Sequence, residues 1–380
     1  MKILKKSLSL VLALVISATV LFGCTEREVQ GELPEQGGEN SQIQSEIDEN
    51  TGDNTEIDTG NGKDEQTDLQ ITVTDQAGRT VTIESPAERI VSSYYISTAL
   101  LVALGCEDEI VGIEMKADTR KLYELACPQL IELPAVGSGK GINVEQTAAL
   151  EPDLVILPAK LAESAELFEE LDIPTVIVNP ETKDDFEACA ELLGTLTGNT
   201  ERAEQLLAYY HEKAEMIENL TSSLEKPSVY LSAGSSYLSS CSSQMYQTEL
   251  IRICGGKSVT EEELTGTYWQ NVSPEQLVEW NPEYFFAVSY AEYTLDGIRS
   301  DSAINGISAI ENNKLYTFPS VIEPWDYPTP SSVLGIMWLA GVLHPEVYSP
   351  EQYLKDAKEF YKTFFDIEVS DDLLGVVAQQ

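Results

Sequence analysis

Histidine is nearly absent from this 380-residue chain, and basic residues are scarce. His211 and His344 are too few to build a site for a bare zinc or manganese ion, which takes several imidazoles and carboxylates. Each lies in or beside a helical stretch and reads as structural. Lys and Arg number 23 against 64 Asp and Glu, for a net charge of −41. That balance excludes nucleic acid as a partner and leaves no basic patch for a membrane surface. The six cysteines include no CxxC pair, which removes the usual zinc spacing. No Gly-x-Ser-x-Gly occurs, so the common serine-hydrolase elbow is missing. Gly137-Ser138-Gly139-Lys140-Gly141 has the look of a phosphate loop, but Pro134 stands where its first Gly belongs and Gly141 where Ser or Thr must bind magnesium. Ser223-x-x-Lys226 has the bare spacing of a penicillin-binding serine without the Lys-Thr-Gly that accompanies it. With neither histidine in a triad context, the chain is not expected to be an enzyme, and no cofactor or resident metal is expected.

What is present begins with Met1-Lys2-Ile3-Leu4-Lys5-Lys6, then an apolar run from Leu8 to Leu21, then Phe22-Gly23-Cys24. The run is too short and too quickly followed by charge for a stable transmembrane helix, and Gly23 is the small residue expected before a cleavage point. The segment resembles a bacterial lipobox, which implies a signal peptide over 1–23 and Cys24 as the lipidated N-terminus of a protein working outside the cytoplasm at the cell membrane. Residues 25 to 68 carry 14 acidic residues against Arg27 and Lys63 and almost no large apolar side chain. Such a stretch cannot bury enough surface to offset its conformational entropy, so 24–68 reads as an extended, disordered, self-repelling tether. Five cysteines remain, Cys106, Cys127, Cys189, Cys241 and Cys254, an odd number that leaves room for a bridge without saying which.

The remainder is long enough for two lobes. Ile71 to Ile83 reads as a hairpin of two alternating β-branched runs around Asp75 and Gly78. Short apolar strands at 89–93, 110–113, 154–157 and 175–178 alternate with helical stretches, among them 144–150 and 162–171, which implies a parallel sheet covered by helices. A helix at 183–196 precedes a longer one in which Ala203, Leu206, Leu207, Tyr210, Ala214 and Ile217 recur at helical spacing. After Pro227 the alternation resumes at Ser228-Val229-Tyr230-Leu231. The fold class is therefore α/β, with two Rossmann-like lobes joined by one long helix: an N-terminal lobe at 69–182, connecting helices at 183–224, and a C-terminal lobe at 225–380.

An internal echo supports the duplication. Asn143-Val144-Glu145-Gln146 through Leu150-Glu151-Pro152-Asp153-Leu154 aligns with Ser273-Pro274-Glu275-Gln276 through Trp280-Asn281-Pro282-Glu283-Tyr284. The Glu-Gln pair, the apolar residue five positions after the Glu, the Pro at seven and the following acid and strand all superpose.

Asp75-x-x-Gly78-Arg79-x-Val81-x-Ile83-x-x-Pro86-x-x-Arg89-Ile90-Val91, then Asn143-x-Glu145 leading to Leu150-x-Pro152-Asp153-Leu154-Val155, then the connecting helix, resemble the helical-backbone (class III) substrate-binding proteins of ABC importers for iron–siderophore complexes, haem, cobalamin and some metal oxyanions. Phe318 to Pro330, with Glu323, Trp325, Asp326 and Tyr327, is similar to a subgroup of metal-complex binders. The resemblance covers about residues 69 to 366. It implies a ligand cleft between the lobes, a strut that permits only slight rocking, and a monomer that delivers its ligand to a membrane permease with its ATPase subunits. Glu145 and Glu275 match the acids that in relatives meet permease arginines. Each also opens a helix, where a carboxylate is favoured against the macrodipole.

Ligands of α/β sheets sit in the crevice beyond the strand ends. The loops expected there carry Tyr94, Tyr95, Ser138 and Lys140 in the first lobe and Tyr237, Tyr268, Trp269, Trp325 and Tyr327 in the second. Aromatic faces at this density suit a porphyrin, corrinoid or chelate that carries its own metal. Tyr could also ligate haem iron. Few cations are placed to meet the ligand, chiefly Lys140, Lys160, Arg120 and Arg299, which disfavours a strongly anionic catecholate chelate. The alternatives are a receptor for an oxyanion such as molybdate and, from another class, a surface-anchored adhesive module or enzyme.

Overall fold

A computed structural model of the chain describes residues 70–319 and 321–374. The expected signal, Cys24 and the tether lie outside these residues. The chain opens with an antiparallel hairpin, β1 (Ile71–Thr74) and β2 (Thr80–Ile83), turned at Gly78 with φ 78°. The reason for Asp at position 75 is now visible. Its carboxylate accepts the main-chain N–H groups of Ala77 and Arg79, pairs with the Arg79 guanidinium at 2.9 Å and accepts Ile177 N–H at 3.0 Å. The Asp-x-x-Gly-Arg motif thus closes its own turn and latches the hairpin onto an outer strand of the first sheet, satisfying backbone donors left open there.

The first sheet contains β3 (Ile90–Ser92), β4 (Ile110–Glu114), β5 (Ala135–Ser138), β6 (Gly141–Ile142), β7 (Leu154–Pro158) and β8 (Thr175–Val178) in the order β6-β5-β4-β3-β7-β8. All pairings but β5 with β6 are parallel. From β3 the chain first moves out through β4 and β5 and later returns to the other side of β3 as β7 and β8. The switch point therefore lies between β3 and β7. The glycine-rich segment that looks like a phosphate loop is the β5–β6 hairpin, with Gly139-Lys140 as its turn. A Cβ on Gly137 would lie 2.3 Å from the Gly141 carbonyl oxygen, so the close approach requires glycine.

The second sheet holds β9 (Ser228–Ser232), β10 (Ser239–Ser240), β11 (Lys257–Ser258), β12 (Gln270–Asn271), β13 (Tyr284–Ala287) and β14 (Leu315–Thr317), in the order β12-β10-β9-β13-β14 with β11 also on β9. The two expected lobes are present. The sequence echo is reproduced in three dimensions. Asn143 and Ser273 cap their helices by accepting from Gln146 and Gln276 N–H. Glu151 and Asn281 take the left-handed conformation at φ 48° and 45°. Asp153 and Glu283 accept main-chain N–H groups where the neighbouring strands β3 and β9 begin, at Arg89 and Ser228.

The strut is the 22-residue helix Thr200–Thr221, about 33 Å at 1.5 Å per residue. Its buried face is the one read from the sequence, Ala203, Leu206, Leu207, Tyr210, Ala214 and Ile217. A second tie was not foreseen: the helix Pro350–Phe365 packs against Ser332–Leu343 of its own half and also against Tyr95–Ala103 of the first lobe. One hydrophobic core runs from Ile83 through the strut to Phe365. Because such packed interiors resist shear, the two lobes are held as one body with a cleft. All five cysteines of the described residues are buried and free, so the bridge that spacing left open does not form among them. No helix among these residues is long and apolar enough to cross a membrane.

Candidate ligand cleft

Parallel strands of both sheets end at the cleft, and their loops line two adjoining compartments. The inner one, about 400 Å³, is walled by Tyr94, Tyr95, Glu114, Met115, Arg120 and Ser138 from the first lobe and by Met245, Gln247, Trp269, Tyr290 and Tyr327 from the second. The outer one, about 520 Å³, lies over first-lobe loops and shares Tyr94, Met115, Arg120, Ser138, Gly139 and Glu181 with the inner. It adds Lys116, Lys140, Ala159 and Lys160.

The local sequence explains how these groups are fixed. Tyr94 precedes the helix Tyr95–Ala103 in extended conformation, its carbonyl accepts from Thr98 N–H at 3.0 Å and Ser97 Oγ at 2.8 Å, and the half-buried side chain packs against the edge of the core where it lines the compartment. Tyr95 starts the helix and is buried. The Arg120 guanidinium lies 4.0 Å from the Tyr95 ring centroid, a cation–π contact. Arg120 Nε is buried without a hydrogen-bond partner, and the side chain joins no ion pair among the described residues. A guanidinium desolvated on one face and unpaired on the other is poised for an acceptor from outside the chain.

Acids line and back the inner compartment. Glu114 ends β4 and accepts from Thr98 Oγ1 at 2.8 Å and Tyr123 OH at 2.9 Å, while burial raises its pKa above the usual carboxylate value. Behind the wall, Tyr95 OH faces Glu323 Oε1 at 3.4 Å and Tyr290 OH donates to Asp326 Oδ2 at 2.7 Å. Burial pushes Glu323 and Asp326 up to about 7. Glu323 Oε2 and Asp326 Oδ1 have no hydrogen-bond partner among the described residues.

Of the residues expected at the cleft, the structure brings together Tyr94, Tyr95, Ser138, Trp269 and Tyr327 on the inner compartment and Lys140 on the outer. Three lie elsewhere. Trp325 is 1 % exposed and belongs to the core, with its Nε1 donating to Tyr361 OH at 3.0 Å and its ring edge-on to Tyr353. The prolines around it do hold the segment, but against the helices at 332–343 and 350–365. Tyr237 turns aside to donate to Asp301 Oδ2 at 2.7 Å. Tyr268 is 77 % exposed outside both compartments, its carbonyl accepting from Ser242 Oγ. Arg299 pairs with Asp296 on the surface. His211 on the strut contacts Glu187 of the preceding helix, buried His344 donates to the Gly255 carbonyl, and neither lines the cleft. Sequence reasoning missed Glu114, Met115 and the weight of Arg120. The rule of strand ends would have found them, because they follow the strand expected at 110–113.

This two-lobed, strut-linked architecture coincides with a match to the periplasmic binding protein family over residues 90–322, more than half of the chain. The chain belongs to that family. A molybdate-binding protein of Haemophilus influenzae is 23% identical over 79% of this chain and 92% of its own length. A vitamin B12-binding protein of Vibrio campbellii is 25% identical over 62% of this chain and 82% of its own. Among solved structures, a periplasmic solute binding protein of Veillonella parvula superposes with a TM-score of 0.70 at 24% identity, over 81% of this chain and 96% of that one. The molybdate-bound Haemophilus influenzae protein superposes at 0.69 with 21% identity, over 79% and 99%. As a periplasmic binding protein the chain is an ABC-importer solute receptor rather than an enzyme, and the fold matches the helical-backbone class that the motif order implies.

Proposed function

We propose that this receptor takes up an intact metal complex, such as an iron–siderophore, haem or corrinoid, and hands it to a membrane permease from a lipid anchor at Cys24. The observation that carries the ligand class is the aromatic inner compartment of about 400 Å³ with one unpaired guanidinium. Cavities of this size suit drug-sized ligands. A tetrahedral oxyanion, only a few times the roughly 30 Å³ share of one water molecule, would leave most of the space unfilled. It would also meet the carboxylates of Glu114 and Glu181 on the same wall. Faces of Tyr94, Trp269, Tyr290 and Tyr327 can pack a ligand plane, and Arg120 can bind an acceptor on its edge.

The test is a fluorescence titration with ferric siderophores, haem, cobalamin and molybdate. Trp269 alone among the tryptophans lines the cleft, so a chelate that absorbs where indole emits is expected to quench its emission most strongly. Arg120→Ala is expected to weaken binding of the responding chelate by about 2 to 4 kcal/mol, roughly 30- to 1000-fold, as for a buried arginine at the centre of an interface. Saturable binding of molybdate alone would overturn the metal-complex reading. The anchor is tested separately. Cys24→Ser is expected to move the protein from the membrane fraction to an uncleaved or released form, with the melting temperature of the folded part unchanged, since the tether isolates it. Unaltered fractionation would refute lipidation.

A further inference from the structure

The two compartments differ in charge, and the difference is unexpected in so acidic a chain. Among the charged residues on the inner wall, the acids Glu114 and Glu181 face the single base Arg120, and the buried Glu323 and Asp326 stand behind. The outer wall reverses this: Lys116, Arg120, Lys140 and Lys160 surround it, and Glu181 is its one carboxylate. None of the four cations forms an ion pair among the described residues, although acids outnumber bases 64 to 23 in the sequence. Most surface lysines of such a chain would find an acid nearby, as Lys121, Lys183 and Lys257 do. Lys116 is moreover held at φ 68°, a left-handed conformation that costs a non-glycine residue about 1 kcal/mol or more. Its carbonyl accepts from Thr119 N–H and Oγ1, which fixes the strained turn over the outer compartment.

We propose that the ligand is bipolar. Its neutral or cationic, apolar-faced body sits in the inner compartment, and a phosphate-bearing arm reaches into the outer one. Three ammonium groups and a guanidinium distributed around one wall match the tetrahedrally spread oxygens of a phosphate better than the two coplanar oxygens of a carboxylate. The acidic inner wall disfavours a complex charged negatively at its centre, since like charge at short range is costly in a partly desolvated cleft. The inference rests on the metal-complex reading for the body but not for the arm.

Two corrinoids test it, cobalamin and cobinamide, which share ring and cobalt and differ in the phosphodiester-bearing nucleotide arm. With the whole protein at low salt, cobalamin is expected to bind at least about tenfold more tightly, with the advantage shrinking as salt is raised. The combined Lys116→Gln, Lys140→Gln, Lys160→Gln variant is expected to bring cobalamin to the level of cobinamide, at an unchanged melting temperature because these exposed lysines support no ion pair. In parallel, inorganic phosphate is expected to protect Lys116, Lys140 and Lys160 from acetylation while leaving Lys226 and Lys355 fully reactive. Equal affinity of wild type for the two corrinoids overturns the proposal. Where neither corrinoid binds, the labelling decides alone: protection confined to the three lysines sustains the basic subsite, and uniform acetylation overturns it. A failure of the metal-complex reading has a separate signature, no chelate quenching Trp269 while phosphate protection persists.

Discussion

Replacing Glu145 and Glu275 together by arginine is expected to abolish uptake of the chelate that the receptor binds while leaving its affinity within about twofold of wild type. Both glutamates are exposed and stand in the first turns of equivalent helices, Val144–Ala148 and Pro274–Trp280. The two helices occupy matching positions in the repeat, so the carboxylates stand one per lobe. Neither forms a salt bridge or a side-chain hydrogen bond among the described residues, and the caps of the two helices are supplied by Asn143 and Ser273 instead. The local cost of reversal is therefore the loss of a favourable charge at a helix N-terminus, at most about 1 kcal/mol at each site. Opposite a permease arginine the same change replaces attraction with repulsion and acts on assembly with the transporter. Whole-cell uptake measured beside equilibrium binding separates the effects. Equal loss of both would place the glutamates in ligand binding and refute the docking role.

Trp325→Ala should cost about 3–5 kcal/mol of stability, the range for removing a large aromatic side chain from a core, and lower the melting temperature by roughly 10 °C. The indole fills space between Tyr353 and Tyr361, and its removal leaves the Tyr361 hydroxyl without the Nε1–H donor. The helix at 332–343 cannot easily close over the void, since Gly335 already approaches the Trp325 backbone so tightly that a Cβ there would lie 2.2 Å from its carbonyl oxygen. Ligand affinity of the molecules still folded is expected to fall much less than with Arg120→Ala, because Trp325 does not line the cleft. Calorimetry and the Trp269 titration on the same variant give both numbers. A normal melting temperature with lost binding would return Trp325 to the ligand site.

These two expectations mark how far the sequence reaches. It determined the parts that depend on neighbours along the chain. Period-2 and period-3.6 apolar spacing gave the hairpin at 71–83, the strands at 90, 110, 154, 175 and 228 and the buried face of the strut, because the backbone geometry of each element fixes which side chains share a face. The echo of 143–154 in 273–284 carried the duplicated helix cap, left-handed turn and strand entry, all short-range features. Tyr94, Tyr95 and Ser138 were legible as cleft residues for the same reason: the tyrosines follow the end of β3 and Ser138 ends β5, and strand ends in a parallel sheet share one edge. Tertiary structure alone decided which second-lobe aromatics reach the cleft. Whether Trp325, Tyr237 and Tyr268 turn inward, sideways or out depends on where the helices at 332–343 and 350–365 come to rest, and those contacts join residues remote in sequence. An aromatic in a proline-rich loop looks the same whether its ring meets a ligand or Tyr353. The role of Arg120 is likewise tertiary. Its charge is plain in the sequence, but its lack of a partner among so many acids exists only once Tyr95 has taken its flank and both compartments have formed around it.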